Sequence, residues 1–253
     1  MKTPEQAAQR IFGERSEFYT KSLAHKDPQV LVRIIELAAP EVNWSVLDVA
    51  TGAGHTAFAL APYVNNVICM DITPQMLAEA EKLAHERAIA NVHFCLGDAH
   101  ELPFNERRFH VVTCRRAAHH FSDIRRALRE MKRVLHDGGR LVIDDRSVPE
   151  DDFVDACMNE LDRLHDQSHV REYRISEWRQ MLESSGFAVD SVEPYVKYLP
   201  LTSLTDNASS ENAQKISEIV GNLTDDQRKA MNVDKKEGQV YLNQWYIMLS
   251  AHY

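Results

Sequence analysis

From the first fifth of the chain to residue 145, short apolar runs alternate with longer segments whose apolar residues recur every three or four positions. The runs Val46 to Val49, Asn66 to Met70, Val92 to Leu96, Phe109 to Cys114 and Arg140 to Asp144 predict five strands. Between them, Met76, Leu77, Ala80, Leu83 and Ala84 follow Thr73-Pro74, an N-cap residue with proline at the first helical position. Ile124, Ala127, Leu128, Met131, Val134 and Leu135 follow Ser122, read here as the cap, and Gly138-Gly139 closes the segment. Strands alternating with such helices predict a parallel sheet covered on both faces.

Beyond residue 145 the rhythm changes. Residues 150 to 185 read as mainly helical, Ala188 to Val192 as a sixth strand and Val240 to Ala251 as a last one. Residues 200 to 236 are polar and rich in Ser, Asn, Asp and Lys, which predicts a helical insertion. The expected architecture is a seven-stranded, mostly parallel α/β sheet in a single domain spanning 1–253. Its core would be about 41–146 with 186–198 and 238–253, under a helical cap from 1–40, 150–180 and 200–236.

Composition narrows the function without deciding it. At 253 residues, 44% hydrophobic and 26% charged, the chain can bury a sizeable core. A formal net charge of -9 opposes binding to a phosphate backbone, so no nucleic-acid partner is expected. Arg125, Arg126, Arg129, Lys132 and Arg133 therefore read as a solvated helix face. Cys69, Cys95, Cys114 and Cys157 lack CxxC spacing and read as reduced thiols. The N-terminal MKTPEQAAQRIFGERSEFY has no continuous apolar stretch, and no window suits a membrane span, so a cytoplasmic protein is expected.

Candidate chemistry gathers at the strand ends, where open parallel sheets bind their ligands. In VLDVATGAGH an acid, Asp48, precedes a bend containing Gly52 and Gly54, which admit positive φ and close approach of a ligand to the backbone. The small residues stand at 50, 52 and 54, which is not the GxGxxG dinucleotide spacing. Asp71 ends the next strand in VICMDIT, where a carboxylate can accept from both hydroxyls of a ribose. Asp98 follows the third strand in CLGDAHELPF and can accept from an exocyclic amine, with Ile72 offering an apolar face to an adenine. Each acid alone also suits a cap or a surface position; three at successive strand ends make a pattern.

The series VLDVATGAGH, CMDITPQML, GDAHELPF, FHVVTCRRAAHHF and LREMKRVLHDGGRLVIDD resembles the class I S-adenosylmethionine-dependent methyltransferases, in particular the small-molecule group that includes the ubiquinone and menaquinone enzymes. The resemblance is strong over about 40–146 and implies a Rossmann-like fold, S-adenosylmethionine as methyl donor and S-adenosylhomocysteine as product. It places Asp48, Ala50, Gly52 and Gly54 near the methionine part, with Ala50 standing where a glycine is usual. It gives Asp71 the ribose, Ile72 the adenine, Asp98 and Ala99 the adenine edge, and Arg115 the methionine side, with Met76 and Gly97 also counted among the cofactor-binding residues. FGERSEFYTKSLAH resembles a lead helix that folds over the cofactor, so that Tyr19, or Phe12, could face the sulfonium.

On the acceptor side, His119 and His120 follow the fourth strand and are the candidates for a general base. RLHDQSHVREY adds His165 and His169, four apart and on one face if helical, and the fifth strand ends in Asp144, Asp145 and Arg146. His165, His169 and Asp145 are the candidate substrate contacts, and no third ligand fixes a metal. The expected function is methyl transfer to a small organic acceptor. Alternatives on the same scaffold are a cyclisation or decarboxylation, a cofactor-binding module without turnover, or an NAD-dependent dehydrogenase. A homodimer stays open.

Overall fold

The computed structural model describes residues 3–16 and 27–253, so Tyr19 lies outside the described residues. In chain order the elements are α1 (Pro4–Glu14), α2 (Pro28–Ala38), β1 (Ser45–Val49), α3 (His55–Leu60), β2 (Asn66–Asp71), α4 (Pro74–Glu86), β3 (Val92–Leu96), β4 (Phe109–Arg115), α5 (Ile124–Val134) and β5 (Leu135–Val148). There follow α6 (Asp152–His165), β6 (Tyr173–Arg174), α7 (Ile175–Ser184), β7 (Ala188–Pro200), α8 (Thr202–Thr205), α9 (Ser210–Gly221), α10 (Asp225–Ala230), β8 (Asp234–Lys236) and β9 (Gln239–His252).

The main sheet runs β3-β2-β1-β4-β5-β9-β7, with β6 attached to β5 and β8 to β9. Pairings from β3 through β5 are parallel, and β9 enters antiparallel between β5 and β7. The chain therefore leaves β1 toward β2 on one side and returns as β4 on the other. Connections part there, and the crevice at the carboxyl ends of β1 and β4 is the place such a sheet offers a ligand.

Alternation along the strands separates two cores. Leu47, Val49, Ile68, Met70 and Ile143 face α5 and α7, where Leu128, Met131 and Trp178 are buried. Val46, Val67, Cys69, Val111 and Val142 face the other way, against Val30 and Ile34 of α2 and Ala80 of α4. Burial of both faces explains why these strands read as unbroken apolar runs. A third cluster, with Val154, Met158 and Leu161 of α6 against Ile216 and Val220 of α9 and Leu242 of β9, forms the interior of the cap.

Several local expectations change. Asp123, not Ser122, caps α5 by accepting from the Arg126 N–H, and Ser122 instead donates to Glu5 of α1. β5 starts directly after α5 at Leu135, ahead of the two glycines. The helical stretch expected over 150–185 breaks after His165, because Asp166 leaves helical geometry and turns back to accept from Ser168. His165 and His169 consequently do not share a helix face. Helices α2 and α7, expected in the cap, lay their apolar faces on the sheet. Cys69, Cys114 and Cys157 are buried, Cys95 is half-buried, and all four are unbridged. No helix among the described residues is long and apolar enough to cross a membrane.

Candidate functional site

The bend after β1 is held from within. Ala50, Gly52 and Gly54 all take positive φ, at 54°, 55° and 82°. At Gly54 a Cβ would stand 2.4 Å from the Phe58 ring, so only glycine fits there, whereas Ala50 carries the left-handed conformation with its methyl in place. Asp48 is buried and accepts from the hydroxyls of Thr51 and Thr113, each at 2.6 Å. Burial pushes its carboxyl up, against those two hydrogen bonds.

Asp71 ties this bend to the next one. Its Oδ2 accepts from the Gly52 N–H at 2.8 Å and its Oδ1 from the Thr73 N–H at 2.9 Å. Burial raises its pKa while the two N–H groups oppose the rise. Each carboxylate oxygen has a second lone pair, so the acid that shapes both loops can still accept from a diol. Asp98 is held more openly: its Oδ1 accepts from the His100 N–H at 2.8 Å and meets His100 Nδ1 at 2.7 Å. His100 Nε2 in turn accepts from the Asp123 N–H at 3.2 Å. That bond requires the ring proton on Nδ1, donated to Asp98, and leaves Asp98 Oδ2 outside this set of contacts.

These loops enclose one cavity of about 990 Å³, its mouth included. Of the residues expected at a cofactor, Asp48, Ala50, Gly52, Asp71, Ile72, Met76, Gly97, Asp98, Ala99 and Arg115 line it. Gly54 does not; it starts α3 behind the bend. Arg115 places Nε 2.8 Å from Thr56 Oγ1. The other walls come from α1, through Glu5, Ala8 and Phe12, and from the segment after β4, through Arg116, His120 and Phe121. Gln9 of α1 donates to the Ile72 carbonyl at 2.9 Å, which fastens this helix to the rim. Arg116 is neutralised by Asp144 at 3.0 Å and lies over the Tyr246 ring at 3.9 Å.

The candidate acceptor-side residues separate. His120 lines the cavity and meets Phe12 edge-on, with ring centroids 5.0 Å apart. His119 is outside the lining and donates its backbone N–H to Asp145, with Nδ1 also on that carboxylate. Asp145 is fully buried, and His119 draws its pKa down against the effect of burial. His165 Nδ1 faces the Leu204 carbonyl and His169 Nε2 faces Asn159 Oδ1, both within the cap. His165, His169 and Asp145 therefore stand behind the cavity wall. Among the described residues, no three His, Cys, Asp or Glu converge as a metal site requires.

Sequence reading passed over Glu5, His100 and Arg116. His100 had a signal, since a polar residue two positions after a strand-end Asp can close a turn onto it. Arg116 shared the strand-end position of its neighbour Arg115, whereas Glu5 had no signal, because it reaches the cavity only through the packing of α1 against the rim.

The donor set fits an adenosine-bearing cation. It offers acceptors for a diol and an amine, apolar faces at Ile72 and Met76, a glycine bend that admits close approach to the backbone, and more acids than arginines.

Comparison with known proteins agrees. Residues 40–239 match the family described as Methyltransferase domain. An uncharacterized methyltransferase of Bacillus subtilis, YcgJ, is 40% identical over 73% of this chain and 73% of its own length. Its crystal structure superposes with a TM-score of 0.83 at 34% identity, covering 88% of this chain and 97% of that one. A demethylmenaquinone methyltransferase of Thermotoga maritima is 41% identical over 44% of this chain and 47% of its own length.

Proposed function

The chain belongs to the methyltransferase-domain family of S-adenosylmethionine-dependent enzymes, and from that premise we propose that its cavity aligns a small organic acceptor for in-line methyl transfer. The observation that carries the reading is the convergence of Asp71, Asp98 and the Ala50 to Gly54 bend on one crevice whose remaining wall is apolar and aromatic.

In this reading Asp71 accepts from the ribose hydroxyls. Asp98 and the Ala99 N–H take the adenine edge, and Ile72, Met76 and Gly97 pack on the ring. Ala50, Gly52 and Arg115 face the amino-acid end. Asp48 acts one step back, holding Thr51 and so the shape of the bend. When bound, S-adenosylmethionine supplies a methyl group already activated on a sulfonium, so the protein's task is orientation and exclusion of water. Fixing two reactants in attack geometry supplies roughly 7 to 11 kcal/mol in favourable cases. Glu5, Ala8 and Phe12 of α1 close over the opening for that purpose.

Between the two adjacent histidines, His120 is the catalytic group and His119, held on Asp145, a support beside it. His165, His169 and Asp145 support the wall rather than touch substrate. Phe12 and Phe121 in the lining favour a flat acceptor of quinone-like or phenolic type, and the Thermotoga maritima relative is named a demethylmenaquinone methyltransferase. The same reading takes 1–253 as one catalytic domain working in the cytoplasm.

A metabolite panel incubated with methyl-labelled S-adenosylmethionine tests it. Label should enter an organic product with equimolar release of S-adenosylhomocysteine. Substrate turnover without that release would assign the cavity to a non-methylating reaction.

A further inference from the structure

The imidazole that lines the cavity is held through a serine. His120 places Nδ1 3.1 Å from Ser168 Oγ. Ser168 Oγ is 2.6 Å from Asp166 Oδ1, and the Ser168 N–H reaches the same oxygen at 2.8 Å. Ser168 and Asp166 are both buried. Burial pushes the Asp166 carboxyl up, but at the low pH where it titrates a protonated His120, together with the hydrogen bonds from Ser168, outweighs burial and holds the group below the usual carboxylate range. An ionised carboxylate can only accept, so the single hydroxyl proton of Ser168 is committed to Asp166. Ser168 Oγ then meets His120 Nδ1 as an acceptor, and Nδ1 carries the ring proton. Nε2 keeps its lone pair, and no described residue hydrogen-bonds to it.

A turn closed by Asp166 would need only the Ser168 N–H. The hydroxyl wedged between carboxylate and imidazole is an additional arrangement, and it comes from a loop distant in sequence from His120. Burial, reinforced by the neighbouring His119 ring, holds His120 down to about 4, so the imidazole is neutral at physiological pH.

We propose that Asp166 and Ser168 are positioning residues that fix His120 as the Nδ1–H tautomer and so present Nε2 to the cavity as the proton acceptor for the methyl acceptor. This rests on the reading of the cavity as a methyl-transfer site. The acceptor atom forms its bond to the methyl carbon as the carbon–sulfur bond breaks and that electron pair stays on sulfur. Its proton passes to Nε2. The positive charge lost from the sulfonium reappears on the imidazolium, where Asp166 stabilises it through Ser168. Such a device serves an acceptor whose attacking oxygen, nitrogen or carbon arrives protonated.

Long-range proton–nitrogen NMR of the full chain, free and saturated with S-adenosylhomocysteine, reads the tautomer directly. His120 should carry its proton on Nδ1 in both states. Ser168→Ala should lose that preference, with Nε2–H becoming populated, and Ser168→Thr should restore it. Calorimetry should give all three proteins the same affinity for S-adenosylhomocysteine, within about twofold. An Nε2–H tautomer in the unmodified chain, or a preference unchanged in Ser168→Ala, would overturn the inference. Absence of S-adenosylhomocysteine binding would instead overturn the reading of the cavity, with the tautomer still readable in the free chain.

Discussion

At the rim, Asp71 and Asp98 are held mainly by backbone N–H groups from their own or the adjoining loop: Gly52, Thr73 and His100. Beneath the cap, Arg146 is held by side chains of Asp162 from α6, Glu172 from the following loop and Gln244 from β9. The two regions use the same residue types to different ends. The rim acids remain beside a cavity and have lone pairs to spare, as groups that receive a ligand must. The layer under the cap stands away from the cavity lining. Burial, with Asp162 nearby, pushes the Glu172 carboxyl well above the usual range against the pull of Arg146. Asp162 falls to about 2 against burial, drawn down by Arg146 and His169. Arg146 thus stands between two buried acids, Asp162 and Glu172, with His169 beside them. Changes under the cap should consequently cost stability, and changes at the rim should cost binding.

The largest effect should follow loss of Arg146. Arg146→Met leaves Asp162 charged and buried without its partner, which should cost about 3 to 5 kcal/mol and lower the thermal midpoint on the order of 10 °C. Affinity of the folded protein for S-adenosylhomocysteine should hold. A variant of normal stability would dissolve the distinction between the regions.

Next in size is His120→Ala, at the boundary of the two. Turnover should fall about 10²-fold, the lower end for a lost general base, while calorimetry finds cofactor affinity preserved. Equal turnover would remove His120 from the chemistry.

The same contrast explains what could be read from the amino-acid sequence. The central parallel strands were legible, since burial on both faces writes continuous apolar runs, and so were the rim acids, since Asp48, Asp71 and Asp98 stand at or near strand ends. The partners beneath the cap were not. Arg146 with Asp162, His119 with Asp145 and Ser168 with His120 are joined only when β5, α6 and the loop after it come together, and no local period records that. His165 and His169 misled for the same reason: a four-residue interval implies a shared face only if the helix continues, and Asp166 ends it.

Asp71→Ala should weaken S-adenosylhomocysteine binding by about 1.5 to 3 kcal/mol, through the loss of charge-assisted hydrogen bonds. It should move the thermal midpoint less than Arg146→Met does. Unchanged affinity would count against a ribose contact.

The smallest effect is a pH slope. Burial drives His169 down to about 3, against the attraction of Asp162 and with His119, His120 and Arg146 adding to the depression. An unfolded imidazole takes up its proton near pH 6.5. Between these values the unfolded chain binds the extra proton, so stability is present above the window and is lost as pH falls through it. His169→Gln should therefore flatten the decline in denaturant stability between about pH 6.5 and 5.5 by about 1 kcal/mol. An unaltered slope would mean that this imidazole is already charged in the folded state.

Calorimetric titration of the full chain with S-adenosylhomocysteine and, separately, with NAD tests the central claim most directly. The account predicts one S-adenosylhomocysteine bound per chain and no heat from NAD. Binding of NAD alone would contradict it.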